Sequence, residues 1–231
     1  MNTKILLIAL IVLAASAALY VATVRGKVSE APSANSLLTN ESATATITQE
    51  SSKKQPMQNR IATLTTNKGV IKIELFEDTM PITTGNFIKL AEDKYFDGIK
   101  FHRVIDGFMI QSGDPLTKDD SKMPYWGTGG PGWAIPDEHI AGELLTNTRG
   151  TISMANSGPN SGGSQFFINV ADNAFLDFDK QPLQSKHPVF GRVIAGMDIV
   201  DAISVVPTTG QSAGNRPLEP IVITSLTIGA N

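Results

Sequence analysis

Residues Phe101 to Pro115 read FHRVIDGFMIQSGDP. Apart from Arg103 the first ten residues are mostly apolar, with Phe101, Val104, Ile105, Phe108, Met109 and Ile110 around it. An unpaired guanidinium is costly in a strand interior, so Arg103 calls for an explanation. Strand alternation puts Phe101, Arg103 and Ile105 on one face and His102 and Val104 on the other. Beyond an Asp106-Gly107 turn, Phe108, Ile110 and Ser112 share a face, and Met109 and Gln111 share the opposite one. A second stretch, SMANSGPNSGGSQFFIN at Ser153–Asn169, sets Gln165 and Phe167 on one face and Phe166 and Ile168 on the other. Each stretch therefore offers a glutamine two residues from a large apolar side chain. If the two faces meet, they form an apolar pocket edged by amides and one guanidinium. The pattern leaves a second reading equally open, in which these are ordinary core strands and Arg103 snorkels to solvent.

Around these stretches the chain reads as mainly β. Ile71, Ile73 and Leu75 alternate with Lys72 and Glu74, as in a half-buried strand. ATLTT precedes them across a short hairpin loop, Asn67-Lys68-Gly69. Pro81 opens ITTGNFIKLAEDKYF, where Phe87, Leu90 and Ala91 recur at helical spacing. A second helix is expected over Gly196–Val205, with Met197, Val200 and Ile203 on one face and Pro207 beyond its end. The chain closes on the strand PIVITSLTIG, whose apolar phase shifts between Ile223 and Leu226 as a bulge would produce. Short strands with only two helices predict a closed or nearly closed antiparallel barrel with helices attached.

The 231 residues are 41% hydrophobic and 18% charged, enough for a packed core. A net charge of −3 carries no basic field, which argues against nucleic acid as a partner. Absence of cysteine excludes disulfides and thiolate metal sites. Ile5–Val24 hold no charge over twenty residues, long enough to cross a bilayer as a helix, and Arg25 and Lys27 follow. Residues 1–27 are thus expected to be a signal anchor or a signal peptide cleaved after Ala15-Ser16-Ala17. Either takes the rest of the chain out of the cytoplasm. Residues 28–59 are rich in Ser, Thr, Ala and Asn and read as a flexible tether, with a reach of order 30 Å. Residues 60–231 form the folded domain.

Other motifs carry less. Gly127 to Gly132 formally match GxGxxG, but Pro131 interrupts them and no strand-to-helix context surrounds them, so a glycine-rich loop is the reading. His102, His139 and His187 lack the spacing of a zinc site, and no metal or cofactor is expected. Asp137, Glu138 and Asp177 read as structural or solvated.

Taken together, FHRVIDGFMIQSGD, SMANSGPNSGGSQFFIN and HPVFGRV at His187–Val193 resemble the cyclophilin family of peptidyl-prolyl isomerases. The resemblance covers residues 60–231. It implies a closed eight-stranded antiparallel barrel with two capping helices and a groove on its outer surface. It also implies that Arg103 is catalytic with Gln111 beside it, and that Phe108, Met109, Phe167 and Leu176 form a proline pocket with His187 at its rim. Ala155, Asn156, Gln111 and Gln165 are similar to residues that hold the substrate backbone. Phe175 stands where many eukaryotic members carry Trp, Asp106 replaces a frequent Pro, and Asp177–Lys186 differ from the short eukaryotic loop. The first and last departures imply weakened cyclosporin binding. The expected partners are proline-containing polypeptides, and the domain is expected to be a monomer. An exported module that binds proline peptides as a chaperone, with incidental turnover, uses the same groove and remains the alternative.

Overall fold

A computed structural model describes residues 59–181 and 186–230. The apolar segment 1–27, the tether up to residue 58 and residues 182–185 of the loop before His187 lie outside the described residues. β1 (Ile61–Thr66) and β2 (Gly69–Leu75) form the expected hairpin, with Thr66 opposite Gly69. Gly69 takes a φ of +145°, a conformation that L side chains rarely adopt, so the turn favours glycine. The remaining strands are β3 (Arg103–Ile105), β4 (Met109–Ser112), β5 (Thr151–Met154), β6 (Phe166–Asn169), β7 (Val189–Ala195) and β8 (Ile223–Gly229). They form one eight-stranded antiparallel curled sheet in the order β3-β4-β6-β5-β7-β2-β1-β8.

The curled sheet is not closed by a continuous ladder of the kind a closed barrel implies. Among the described residues no ladder joins β3 to β8. The edges are tied by a single bridge, Lys100 to Val222, and by bonds such as Phe101 N–H to Ile221 C=O at 2.9 Å and Ile223 N–H to Ile99 C=O at 2.8 Å. The cause is local. Phe101 and His102 are both buried, and two successive buried side chains break the alternation that a continuous ladder requires. The face assignment of Phe101 changes with it. Phe101 joins the core, while Arg103 and Ile105 face outward. Phe108 likewise precedes β4 and turns outward, whereas Ile110 and Ser112 point inward.

The core is built on Phe87, Phe96, Phe166 and Phe190, with Phe87 at ring distances of 5.1, 5.5 and 5.2 Å from the other three. Phe87 lies on α1 (Pro81–Glu92), which starts at proline as expected. Met80 supplies no side-chain cap. Glu138, from a distant loop, accepts instead from the N–H groups of Ile82 at 3.0 Å and Thr83 at 2.6 Å, and from the Thr83 hydroxyl at 2.6 Å. A carboxylate at a helix N-terminus satisfies orphan donors and opposes the macrodipole. α2 (Met197–Ser204) buries Val200 and Ile203 fully. The bulge in β8 falls at Thr224: Thr65 pairs Ser225, but Thr66 pairs Ile223.

Candidate active site

The strand register places Arg103 opposite Gln111, and Gln111 opposite Phe167. These three side chains therefore form one row across β3, β4 and β6 on the outer face, while Val104, Ile110 and Ile168 face the core. Beside the row Met109, Phe167 and Leu176 form a separate buried apolar cluster, with Ile105, Phe108 and Ala155 packed on it. The two faces proposed from alternation do meet.

A chain of side-chain amides fixes Arg103. Its Nη1 donates to Gln111 Oε1 at 3.3 Å, and Gln111 Nε2 donates to Gln165 Oε1 at 3.0 Å. Gln165 Nε2 in turn donates to the carbonyls of Gly127 at 3.0 Å and Gly129 at 2.8 Å. Backbone carbonyls only accept, so Gln165 must present its NH₂ to them. That leaves its oxygen for Gln111, whose own oxygen is left for the guanidinium. Orientation at the far end thus sets orientation at the near one. Arg103 also lies 5.8 Å from the Phe108 ring centroid, and burial pulls its pKa below the usual value. A guanidinium nevertheless remains charged at neutral pH.

The glycine-rich loop is the anchor of this relay, a role the sequence reading did not assign. Asp114, fully buried, holds it by accepting from the N–H groups of Leu116 at 2.8 Å, Gly129 at 3.2 Å and Gly127. A Cβ at Gly129 would sit 2.1 Å from Asp114 Oδ1, so no other residue fits there. The available signal was Asp114-Pro115, an acidic residue before proline at the start of a 3₁₀ turn, Pro115–Lys118.

His187 closes the apolar cluster at one side. Its Nδ1 lies 3.0 Å from the Met154 carbonyl, which can only accept, so the proton sits on Nδ1 and Nε2 is bare. Its ring meets Phe167 edge-on at 5.3 Å, and burial lowers its pKa, which favours the neutral form. Ala155 N–H donates to the Gln165 carbonyl at 3.0 Å. The Asn156 side chain donates to the Lys186 carbonyl at 2.6 Å, while its backbone N–H and C=O carry no bond within the described residues. Phe175 does not join the buried cluster. It is 48% exposed and stacks on Phe108 at 6.0 Å, on the rim. A groove of about 400 Å³ runs on from the amides past Ala155, Asn156 and Trp133. The acidic residues read as structural include two that are clearly so: Glu138 caps α1, and Asp177 accepts from Asn147 N–H and Nδ2 at 2.8 Å each.

With this geometry in view, comparison with known proteins is direct. Residues 61–228 match the family model for cyclophilin type peptidyl-prolyl cis-trans isomerases. The Arabidopsis thaliana peptidyl-prolyl cis-trans isomerase CYP18-1 is 43% identical over 170 residues, 73% of this chain and 96% of that protein. Peptidyl-prolyl cis-trans isomerase-like 2 of Cryptococcus neoformans is 38% identical over 177 residues, 76% of this chain but 28% of that longer protein. Among solved structures, a Cryptosporidium parvum cyclophilin type isomerase in the presence of the dipeptide Ala-Pro superposes with a TM-score of 0.62 at 31% identity, covering 74% of this chain and 99% of that one. The chain belongs to the cyclophilin-type peptidyl-prolyl cis-trans isomerase family.

His102 lies under the glycine-rich loop, and neither ring nitrogen has a partner among the described residues. Burial lowers its pKa to about 4, against an upward pull from Asp114. A base depressed in the folded state stabilises fully above its unfolded value near 6.5, and that contribution fades as pH falls toward 4. Urea denaturation across this window should show wild type losing up to about 3 kcal/mol that a His102→Gln variant does not lose. Parallel pH profiles for the two would refute it.

Proposed function

We propose that the domain catalyses cis–trans isomerisation of X–Pro bonds in exported polypeptides. The observation that carries this reading is the amide relay, which fixes a guanidinium at the edge of a buried apolar pocket. An X–Pro bond resists rotation by roughly 18–20 kcal/mol because the nitrogen lone pair is delocalised. Rotation makes and breaks no covalent bond, so neither a nucleophile nor a proton shuttle is required. When the bond twists, the nitrogen becomes pyramidal and its lone pair localises. A donor held in place for that nitrogen stabilises the twisted state more than the planar one. Arg103 is that donor, and Gln111 and Gln165 keep it in position.

Met109, Phe167 and Leu176, with Phe108 and His187, take the pyrrolidine ring and exclude water, which strengthens the polar contact. Neutral His187 suits an apolar guest better than an imidazolium would. The backbone groups of Asn156, unbonded among the described residues, suit an extended peptide on the acyl side. The Ala-Pro dipeptide with the Cryptosporidium relative supports a proline ligand here too. Every group in the relay comes from one chain, so a monomer suffices.

Arg103→Ala in the full chain should retain the fold and raise the barrier by roughly 2–4 kcal/mol, a loss of about thirty- to a thousandfold in a protease-coupled prolyl-peptide assay. Turnover within about twofold of wild type would remove Arg103 from the mechanism.

The export part of the proposal is supported by the uncharged run Ile5–Val24 and the polar tether behind it. Cell fractionation should place the chain with the membrane or outside the cytoplasm, and full-length protein free in the cytosol would contradict it.

Phe175 stands where many eukaryotic relatives have Trp, and it lies on the rim. Phenylalanine lacks the indole N–H and some apolar area, each worth about 1 kcal/mol. Phe175→Trp should therefore tighten cyclosporin binding on the order of tenfold or more, measured by titration calorimetry, with little change in turnover. Unchanged affinity would transfer any resistance to the loop at Asp177–Lys186.

A further inference from the structure

On the other side of Gln111 from the groove lies a second concavity of about 520 Å³, lined by His102, Arg103, Gln111, Trp126, Gly127 and Arg216 among others. Among the described residues no carboxylate lines it, although the chain as a whole has a net charge of −3. Two guanidiniums do. The relay uses only Nη1 of Arg103, and its other N–H groups have no hydrogen-bond partner among the described residues. Arg216 lies with its guanidinium carbon 5.8 Å from the Trp126 ring centroid and, among the described residues, forms no ion pair. Trp126 is itself held by its N–H, which donates to the carbonyls of Leu116 at 3.0 Å and Asp119 at 3.3 Å. A cation–π contact with a fixed ring limits the orientations open to the Arg216 fork, which suits a carboxylate or phosphate better than a free chain would. His102, 7% exposed, lines the inner wall of this concavity.

We propose that this concavity is a subsite for an anionic side chain, carboxylate or phosphate, carried by a residue close to the isomerised proline, and that Arg216 determines the preference. The proposal deepens the isomerase reading and rests on it, since the same peptide would occupy both places. Gln111 and Gly127 line both the groove and this concavity. An extended chain advances about 3.3 Å per residue, so a residue within three positions of the proline reaches it.

The test uses the full chain in mild detergent and a neutral prolyl peptide. Glutamate, glutamine or phosphoserine is placed in turn at each position from three before to three after the proline. kcat and KM come from the protease-coupled assay, and Kd from calorimetry. At one position glutamate should lower KM and Kd about five- to tenfold relative to glutamine, with no gain in kcat, and phosphoserine should match or exceed it in binding. The advantage should shrink in high salt. In Arg216→Gln the glutamate-to-glutamine ratio should fall to about one, while Arg216→Lys should keep part of it. No preference at any position in wild type, or a preference that survives Arg216→Gln, overturns the proposal. If Arg216→Gln does not fold, the wild-type ratio and its loss in salt decide. If no peptide is turned over, the isomerase reading is what fails, and the Kd ratios still judge the subsite.

Discussion

The outer face depends on a one-way constraint: the backbone carbonyls of Gly127 and Gly129 can accept hydrogen bonds but cannot donate them. Each amide in turn has only one orientation left, and the last acceptor faces Arg103. A free arginine samples many rotamers, and ordering one costs up to about 2 kcal/mol. Here two glutamines and a glycine loop have already ordered it before any ligand arrives. Because the relay consists of neutral groups, it steers the guanidinium without neutralising it. A carboxylate in the place of Gln111 would hold Arg103 as firmly and would cancel the charge on which a developing lone pair depends.

Burial works with this arrangement. The apolar cluster of Met109, Phe167 and Leu176 is separate from the main core, although β4 and β6 contribute to both. Alternation gives each strand one side for stability and one for binding. The curled sheet can therefore keep a full phenylalanine core at Phe87, Phe96, Phe166 and Phe190 while a second apolar surface faces outward.

Much of this was legible in the sequence, for identifiable reasons. Gln111 and Gln165 each sit two residues from an apolar neighbour, and period-two reasoning alone placed Gln165 with Phe167 and Met109 with Gln111. Both helices and the β8 bulge followed from spacing. Alternation failed at Phe101 and Phe108, since both lie outside the strands proper, where a turn is free to redirect a side chain. How the two sheet edges meet was not legible for the same reason, β3 being only three residues long. Asp114-Pro115 signalled a local turn, but the hold of Asp114 on the glycine loop is tertiary: its carboxylate reaches amides thirteen and fifteen residues away. Glu138 is similar, capping a helix more than fifty residues earlier in the chain. Local propensity contains no term for either.

Those two carboxylates have a joint effect. Asp114 pins the near end of a long connection and Glu138 pins its far end, while Gly127 and Gly129 between them hold Gln165. Between Asp119 and Tyr125 the side chains are exposed and contribute nothing to the relay. That short span can accumulate substitutions, and with them new contacts to whatever flanks a bound chain, without shifting Arg103. Ligand choice and rotation chemistry are thereby separable traits, free to diverge at different rates within one small sheet.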